Sequence, residues 1–408
     1  MVSMTFLFSS FLMAQEPNGD VFTNNKNTVE IEDKEESLSN TYEDEVIAEN
    51  ESLSTYPIRI INGAKWLNMS EDFVYMCWEI MEGLYIRDYD KLDASIEKAE
   101  KLFPNTGVGP TGTVLKWQMK MLENFDFAYE NQYRNAYKIT VNELEEALEK
   151  EGNEAWERFL IGAVVGIDAI HLLRKEEYFS AITQGFGAIG HIEKAKELAP
   201  DFVDSDLGDG LWLYWRSLIA MNIPGFASFA DKREEGIQLM QNAEQKSVFL
   251  RPASSHALTY TWLEERKMKR AESTAVRLQK QYPKNIINLQ LLGRIYMYEN
   301  QFAKSEQTFK KVILIDSKNR RVHYYLGRLY LRWRKNDLAY KHLYRYLQYS
   351  LSDTHKGYAF YYLGHVYARN KEYVKAEDAY NQAYKYAKIK EAKNRAKSMK
   401  NKQVETPK

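Results

Sequence analysis

Cysteine is almost missing from this 408-residue chain, which carries Cys77 alone. One thiol makes no intramolecular disulfide and no cysteine-built zinc site. Its neighbours Tyr75, Met76 and Trp78 mark it as a small buried hydrophobe rather than a nucleophile. An excess of charge of either sign is missing too: 56 lysines and arginines face 57 acidic residues, a formal net charge of −1. That balance argues against attraction of the whole molecule to nucleic acid or to an anionic membrane. Past the N-terminus no stretch approaches the roughly 18 apolar residues a bilayer crossing needs. No run alternates with strand period. The seven histidines are scattered and none sits in H-E-x-x-H, and there is no G-x-S-x-G nucleophile turn.

The two signs are nevertheless unevenly placed, with an acidic front and a basic tail. Residues 1–14 contain "MTFLFSSFLMA", an apolar run with the length of a signal-peptide core, although no Lys or Arg precedes it and Leu12 stands where a small residue is preferred. An export signal is the expectation, without a lipoprotein cysteine after it. Residues 15–56 are polar, and from Glu30 to Glu51 Lys34 is the lone cation, so this part reads as an acidic disordered segment. At the other end, residues 389–408 form a basic tail in which Glu391 and Glu405 are the only acids, suited to a solvating cap on the last helix.

After residue 250 a period can be counted. "NLQLLGRIYMYENQFAKSEQTF", "VHYYLGRLYLRWRKNDLAYKHL" and "AFYYLGHVYARNKEYVKAEDAY" align, with "HALTYTWLEERKMKRAESTAV" before them. Their anchors Thr259, Gly293, Gly327 and Gly364 lie 34, 34 and 37 residues apart. Three residues past each anchor comes an aromatic (Trp262, Tyr296, Tyr330, Tyr367), and twelve past it a small residue (Ala271, Ser305, Ala339, Ala376). A small residue lets one helix approach the next closely, and the aromatic fills the wider gap one turn on. Prolines such as Pro283 close the second helix. Such a unit cannot bury its apolar face alone, so neighbours stack. Upstream, over residues 57–250, the helical period persists while the repeat blurs. "NEAWERFLIGAVVGIDAIHLL" and "EEYFSAITQGFGAIGHIEKAKELAP" read as a long helix pair, with Ala188, Ala195 and Pro200 at repeat offsets 20, 27 and 32. A further pair, "DLGDGLWLYWRSLIAMNI" and "DKREEGIQLMQNAEQ", carries "PGFASFA" between its helices.

These units resemble the tetratricopeptide repeat, a 34-residue helix-turn-helix. Over about residues 66–387 the chain is similar to a set of bacterial tetratricopeptide proteins without assigned activity, many with export signals; "DGLWLYW" and "DKREEGI" also bear a distant likeness to eukaryotic inclusion-body-clearance proteins. The resemblance implies an all-α, right-handed solenoid of helical hairpins. Four tandem units would occupy residues 251–388, behind degenerate hairpins over 57–250. It further implies a non-enzymatic scaffold with a concave groove lined at unit positions 2, 5 and 9. Position 5 gives His256, Gln290, Tyr324 and Tyr361; position 9 gives Tyr260, Arg294, Arg328 and His365; position 2 adds Arg321 and Tyr358. The lysine and asparagine of the family's chaperone-tail clamp are missing at positions 5 and 9. Paired arginines suit carboxylates and tyrosines give rigid contact area. The expected ligand is therefore an unidentified protein partner, through an acidic or C-terminal peptide segment, in the cell envelope. The alternatives are nucleic acid or polysaccharide on the Arg/Tyr rows, and a cytoplasmic location. The groove could instead be covered by another domain, or by the acidic segment acting as a tether.

Three motifs invite chemistry and each has a plainer reading. "GVGPTG" at 107–112 fits G-x-G-x-x-G but follows a helix, not a strand, so a helix connection capped by Thr111 or Thr113 is expected. "DSDLGDG" at 204–210 fails as a calcium loop, with Trp215 where a bidentate glutamate belongs; Asp204, Ser205 or Asp206 should cap a helix instead. Asp168 and His171 share a helix face in "GIDAIHLL" and read as tolerated polar positions. No catalytic residue, cofactor or metal is expected; carboxylates converging on His171 from a distant helix would reopen the enzymatic reading.

Overall fold

A computed structural model describes residues 56–150, 152–222 and 230–405. The apolar leader, the acidic segment up to residue 55 and residues 224–229 of "PGFASFA" lie outside them. The described residues are all-α, a solenoid of tetratricopeptide-type helical hairpins without strands. In chain order the helices are α1 (Ile58–Leu67), α2 (Glu71–Ile86), α3 (Tyr89–Leu102), α4 (Val108–Asn124), α5 (Glu130–Glu149), α6 (Glu154–Arg174), α7 (Tyr178–Leu198), α8 (Ser205–Asn222) and α9 (Arg233–Lys246). The four counted repeats form the pairs α10 (Arg251–Glu264) with α11 (Met268–Gln281), α12 (Ile286–Tyr298) with α13 (Phe302–Ile315), α14 (Arg321–Arg332) with α15 (Asn336–Leu347), and α16 (Asp353–Arg369) with α17 (Tyr373–Ala387). The basic tail becomes α18 (Lys390–Glu405), which turns Ala392, Ala396 and Met399 onto α17.

The alignment anchors are where paired helices come closest. A Cβ on Gly293 would meet the Phe309 ring, one on Gly327 the Leu343 side chain and one on Gly364 the Tyr380 ring, each sixteen residues on. Ala271, Ser305, Ala339 and Ala376 are fully enclosed, and the Ser305 hydroxyl donates to the Gly293 carbonyl at 2.7 Å. The turns repeat with the same period: Arg266, Asn300, Arg334 and Lys371 all adopt left-handed backbone. Glu176, between α6 and α7, adopts it as well. That turn corrects the register expected for this pair. It places Ala181, 3% exposed, in the small-residue position rather than Ala188, and the additional length falls at the far end of a 21-residue α7.

Local chemistry explains several ends. Asn285 accepts the Asn288 N–H at 2.9 Å, Asn153 that of Trp156 at 3.1 Å and Ser70 that of Phe73 at 3.2 Å, each as an N-cap. "GVGPTG" does not end in a threonine cap. Helix α4 begins at Val108 behind Gly107, whose φ of 69° and 2.4 Å Cβ approach to Leu144 require glycine. Thr111 and Thr113 lie inside the helix because Gly109 and Gly112 let it press against α3. Asp204 does not cap its own helix either. Its fully enclosed carboxylate accepts the N–H groups of Val248, Phe249 and Leu250, at 2.7, 2.8 and 3.0 Å, ahead of α10.

Adjacent hairpins share cores along the stack, but α4 also reaches across the chain to touch α12. The N-terminal hairpins thereby lie against the side of the C-terminal repeats that was expected to be open.

Candidate functional site

The groove positions are occupied from within. Helix α4 ends with carbonyls that its own turns leave with acceptor capacity, Leu122 taking only a 3.3 Å bond from the Phe125 N–H, and residues of the repeats take them up. Gln290 Nε2 and Asn319 Nδ2 both donate to the Glu123 carbonyl, at 2.8 and 3.0 Å. Arg321 Nη1 donates to the Leu122 carbonyl at 3.3 Å. Arg320 donates from Nε to the Asn124 carbonyl at 3.1 Å and from Nη2 to that of Phe125 at 2.7 Å, while its Nη1 reaches the Ser350 carbonyl at 2.5 Å. Phe125 itself is left-handed, with φ of 55°, which turns its ring into the repeats. There it lies 4.1 Å from the Arg321 guanidinium, 5.1 Å from that of Arg174 and 5.0 Å from the His355 ring. A second contact lies one unit earlier: Tyr282 donates its hydroxyl to Glu82 at 2.9 Å, and the Tyr85 ring packs on Tyr282 and on His256.

Each expected groove residue can now be placed. His256 lies against Tyr85, Gln290 and Arg321 hold the end of α4, and none of the three faces an open channel. Arg294 is 1% exposed, with its guanidinium 5.8 Å from the Tyr325 ring and Tyr260 close enough to feel its charge. Arg328 is buried between the rings of Tyr324 and Tyr362, at 5.5 and 5.0 Å, with Tyr358 beside them. Tyr361 packs edge-on to His365, which accepts from or donates to the Tyr380 hydroxyl at 3.0 Å. Thus the aromatic and basic rows exist but interdigitate. Arginine sits on tyrosine, and bases or a sugar chain would find few free ring faces there. The cover comes from the chain's own hairpins, because α4 is long enough and its end polar enough to be held.

Asn319, Arg320, Phe125, Arg174 and His355 were not singled out in the sequence. Asn319 carries one signal, its N-cap bond from Val322 N–H at 3.1 Å. The rest join residues from about fifty to more than two hundred positions apart and leave no local pattern.

Asp168 and His171 are more than tolerated polar positions. His171 Nε2 lies 2.5 Å from Glu130 Oε2, and its Nδ1 faces Gln118 at 3.1 Å. Asp168 accepts from Tyr133 at 3.1 Å, Arg134 at 2.5 Å and Gln184 at 3.2 Å. Both ring nitrogens of the histidine thus face oxygen atoms, of Glu130 on one side and of the Gln118 amide on the other. Carboxylate and histidine do converge from separate helices. However, His171 has no exposed surface, and the Tyr133 ring stacks on it at 4.5 Å with Phe127 edge-on at 5.4 Å. Burial pushes the imidazole down to about 4 against the pull of Glu130. In this arrangement the network ties α4, α5, α6 and α7 together and offers a substrate no approach. Among the described residues no group of three or more His, Cys, Asp or Glu side chains could hold a metal ion. No helix among them is long and apolar enough to cross a membrane.

No family model matches the chain, and no curated protein does. Among solved structures it is similar to the APC/C hetero-tetramer Cut9–Hcn1, with 12% identity, 84% of this chain and 62% of that chain covered, and a TM-score of 0.47. The chain thus spans less than two thirds of that structure's length. It is similar also to the human IFIT1 dimer with PPP-AAAA (13% identity, 78% and 69% covered, TM-score 0.45). Yeast Tom70 is a third, with 15% identity, 85% and 84% covered, and a TM-score of 0.40. Likenesses of this size inform neither on partner nor on activity.

Proposed function

We propose that the protein is a non-catalytic interaction scaffold that binds a partner polypeptide, through an acidic or C-terminal segment, beside the helix end it already holds. The observation that carries this reading is the set of donors on Gln290, Asn319, Arg320 and Arg321. They take the main-chain carbonyls of four successive residues, 122–125, and two of the four are arginines, whose guanidinium groups equally suit carboxylates. A surface with that property is a binding surface, here engaged in cis. With residues 1–14 acting as an export signal, the scaffold would work in the cell envelope. The test is a peptide array of C-terminal segments, acidic and charge-neutral, probed with the full chain at two salt concentrations. Selective retention of acidic peptides that weakens with salt is expected. Equal retention of neutral peptides, or none at all, overturns the reading.

A further inference from the structure

Next to the held helix end lies a cavity of about 460 Å³, within the range of small-molecule sites. Its walls come from both sides of the contact. Phe125 and Phe127 follow α4, Arg174 ends α6, Arg320 precedes α14, and Thr354 with His355 opens α16. The Arg174 guanidinium is sandwiched between Phe125 at 5.1 Å and Phe127 at 4.9 Å, and the residue is 8% exposed. Its Nη2 donates to the carbonyls of Asp126 at 2.7 Å and Met121 at 3.4 Å. Its Nε and Nη1 are buried without any partner. Among the described residues it makes no ion pair within 4.0 Å, whereas Lys175, its sequence neighbour, makes two.

A buried guanidinium in this state is expensive: two donors have lost water and gained nothing, and the carboxylates that act on the charge, Asp126 and Glu130, do so from beyond ion-pair distance. Its surroundings add to the positive potential. Arg320 and Arg321 lie close by, and the start of the 17-residue α16 points its amide end here. Of the two acids in the lining, Asp126 stands 3.7 Å from Arg320, and Glu176 accepts the Thr354 hydroxyl. Burial, with Arg321 adding to it, pushes Arg174 down to about 9, and burial with the same three arginines pushes His355 down to about 3. The remaining wall is apolar, made of Phe125, Phe127, Ala128 and Leu351.

We propose that this cavity binds a small organic anion whose carboxylate or phosphate head meets Arg174 and whose apolar body lies against Phe125, Phe127 and Leu351. The head supplies a close counter-charge for the cation and, once the flanking rings part, acceptors for Nε and Nη1, which have almost no exposed surface of their own. The body takes the place of water on the phenyl faces. Because the walls belong to both halves of the chain, the ligand braces the N-terminal hairpins against the repeats. The cavity shares Arg320 with the surface proposed for a partner polypeptide, but its test uses small probes alone, so either reading can fail without the other.

The experiment is calorimetry and thermal unfolding of the full chain at constant ionic strength, with phenyl phosphate, phenylacetate, inorganic phosphate and benzyl alcohol as probes. At least one of the two aromatic anions binds at millimolar concentration or better and raises the unfolding temperature; the tighter of the two identifies the preferred head. Benzyl alcohol does neither, and inorganic phosphate binds at least tenfold more weakly. Arg174→Met keeps an apolar stem between the rings without the charge and weakens the anion at least tenfold. Ser350→Trp, at the exposed mouth and away from Arg174, weakens it as well and covers the case in which the first variant does not fold. Absence of anion binding, equal binding of benzyl alcohol or of inorganic phosphate, or undiminished binding by both variants overturns the proposal.

Discussion

Arg320→Ala is the most informative single change for the contact between the two halves. The side chain makes three charge-assisted hydrogen bonds to carbonyls, of Asn124, Ser350 and Phe125, and its exposure is only 14%. Bonds of this kind contribute about 1.5–3 kcal/mol each. Truncation admits water to the outermost, the Ser350 carbonyl, so two losses near the lower bound remain and the expected cost is about 3 kcal/mol. Stacked repeats unfold stepwise, so a single melting temperature would blur the effect. Hydrogen exchange resolves it instead: amides of 122–126 and 350–356 should exchange about a hundredfold faster, while those of α17 and α18 stay as they were. Arg320→Lys, with one ammonium in place of the planar fork, should recover less than half. If Arg320→Ala leaves exchange at 122–126 within threefold of the parent, the carbonyl contacts do not hold α4 in place and the picture of an internally occupied groove fails.

Other expectations follow from single features. His171, His323 and His365 are enclosed, and burial lowers them from 6.5 to about 4, 4 and 3. The unfolded chain then binds more protons than the folded one below pH 6.5, so stability is lost as pH falls from 6.5 towards 4. Each group costs about 2 kcal/mol by pH 5, and urea midpoints that stay level between pH 7 and 5 would contradict this. Gly210 and Gly236 face each other, and a Cβ on Gly236 would lie 2.6 Å from the Gly210 carbonyl oxygen. Gly236→Ala should cost about 2 kcal/mol or more by overpacking, read as a lower thermal midpoint. Asp204→Ala leaves three enclosed N–H groups without an acceptor and should cost about 3 kcal/mol. Asp204→Asn, which keeps one acceptor oxygen, should recover part of that in the same denaturation assay.

The 34-residue register was open to reading because it is local. Gly293 and Phe309, or Ser305 and the Gly293 carbonyl, are sixteen and twelve residues apart and meet through one turn. Helix type, hairpin pairing and the small residues at each crossing follow from such spacings. The capping roles of Thr111 and Asp204 were misjudged for the opposite reason. The packing of α4 on α3 and the placement of residues 248–250 depend on elements that the motif does not contain. The groove shows the limit most clearly. Spacing assigned Gln290, Arg294, Arg321 and Arg328 to the concave side, yet it carries no information on what lies over that side. Sequence period determined the solenoid. Whether its inner face meets solvent, a partner or the end of α4 was decided by tertiary structure, because carbonyls at 122–125 and donors at 290–321 share no local pattern and meet only when the whole chain is folded.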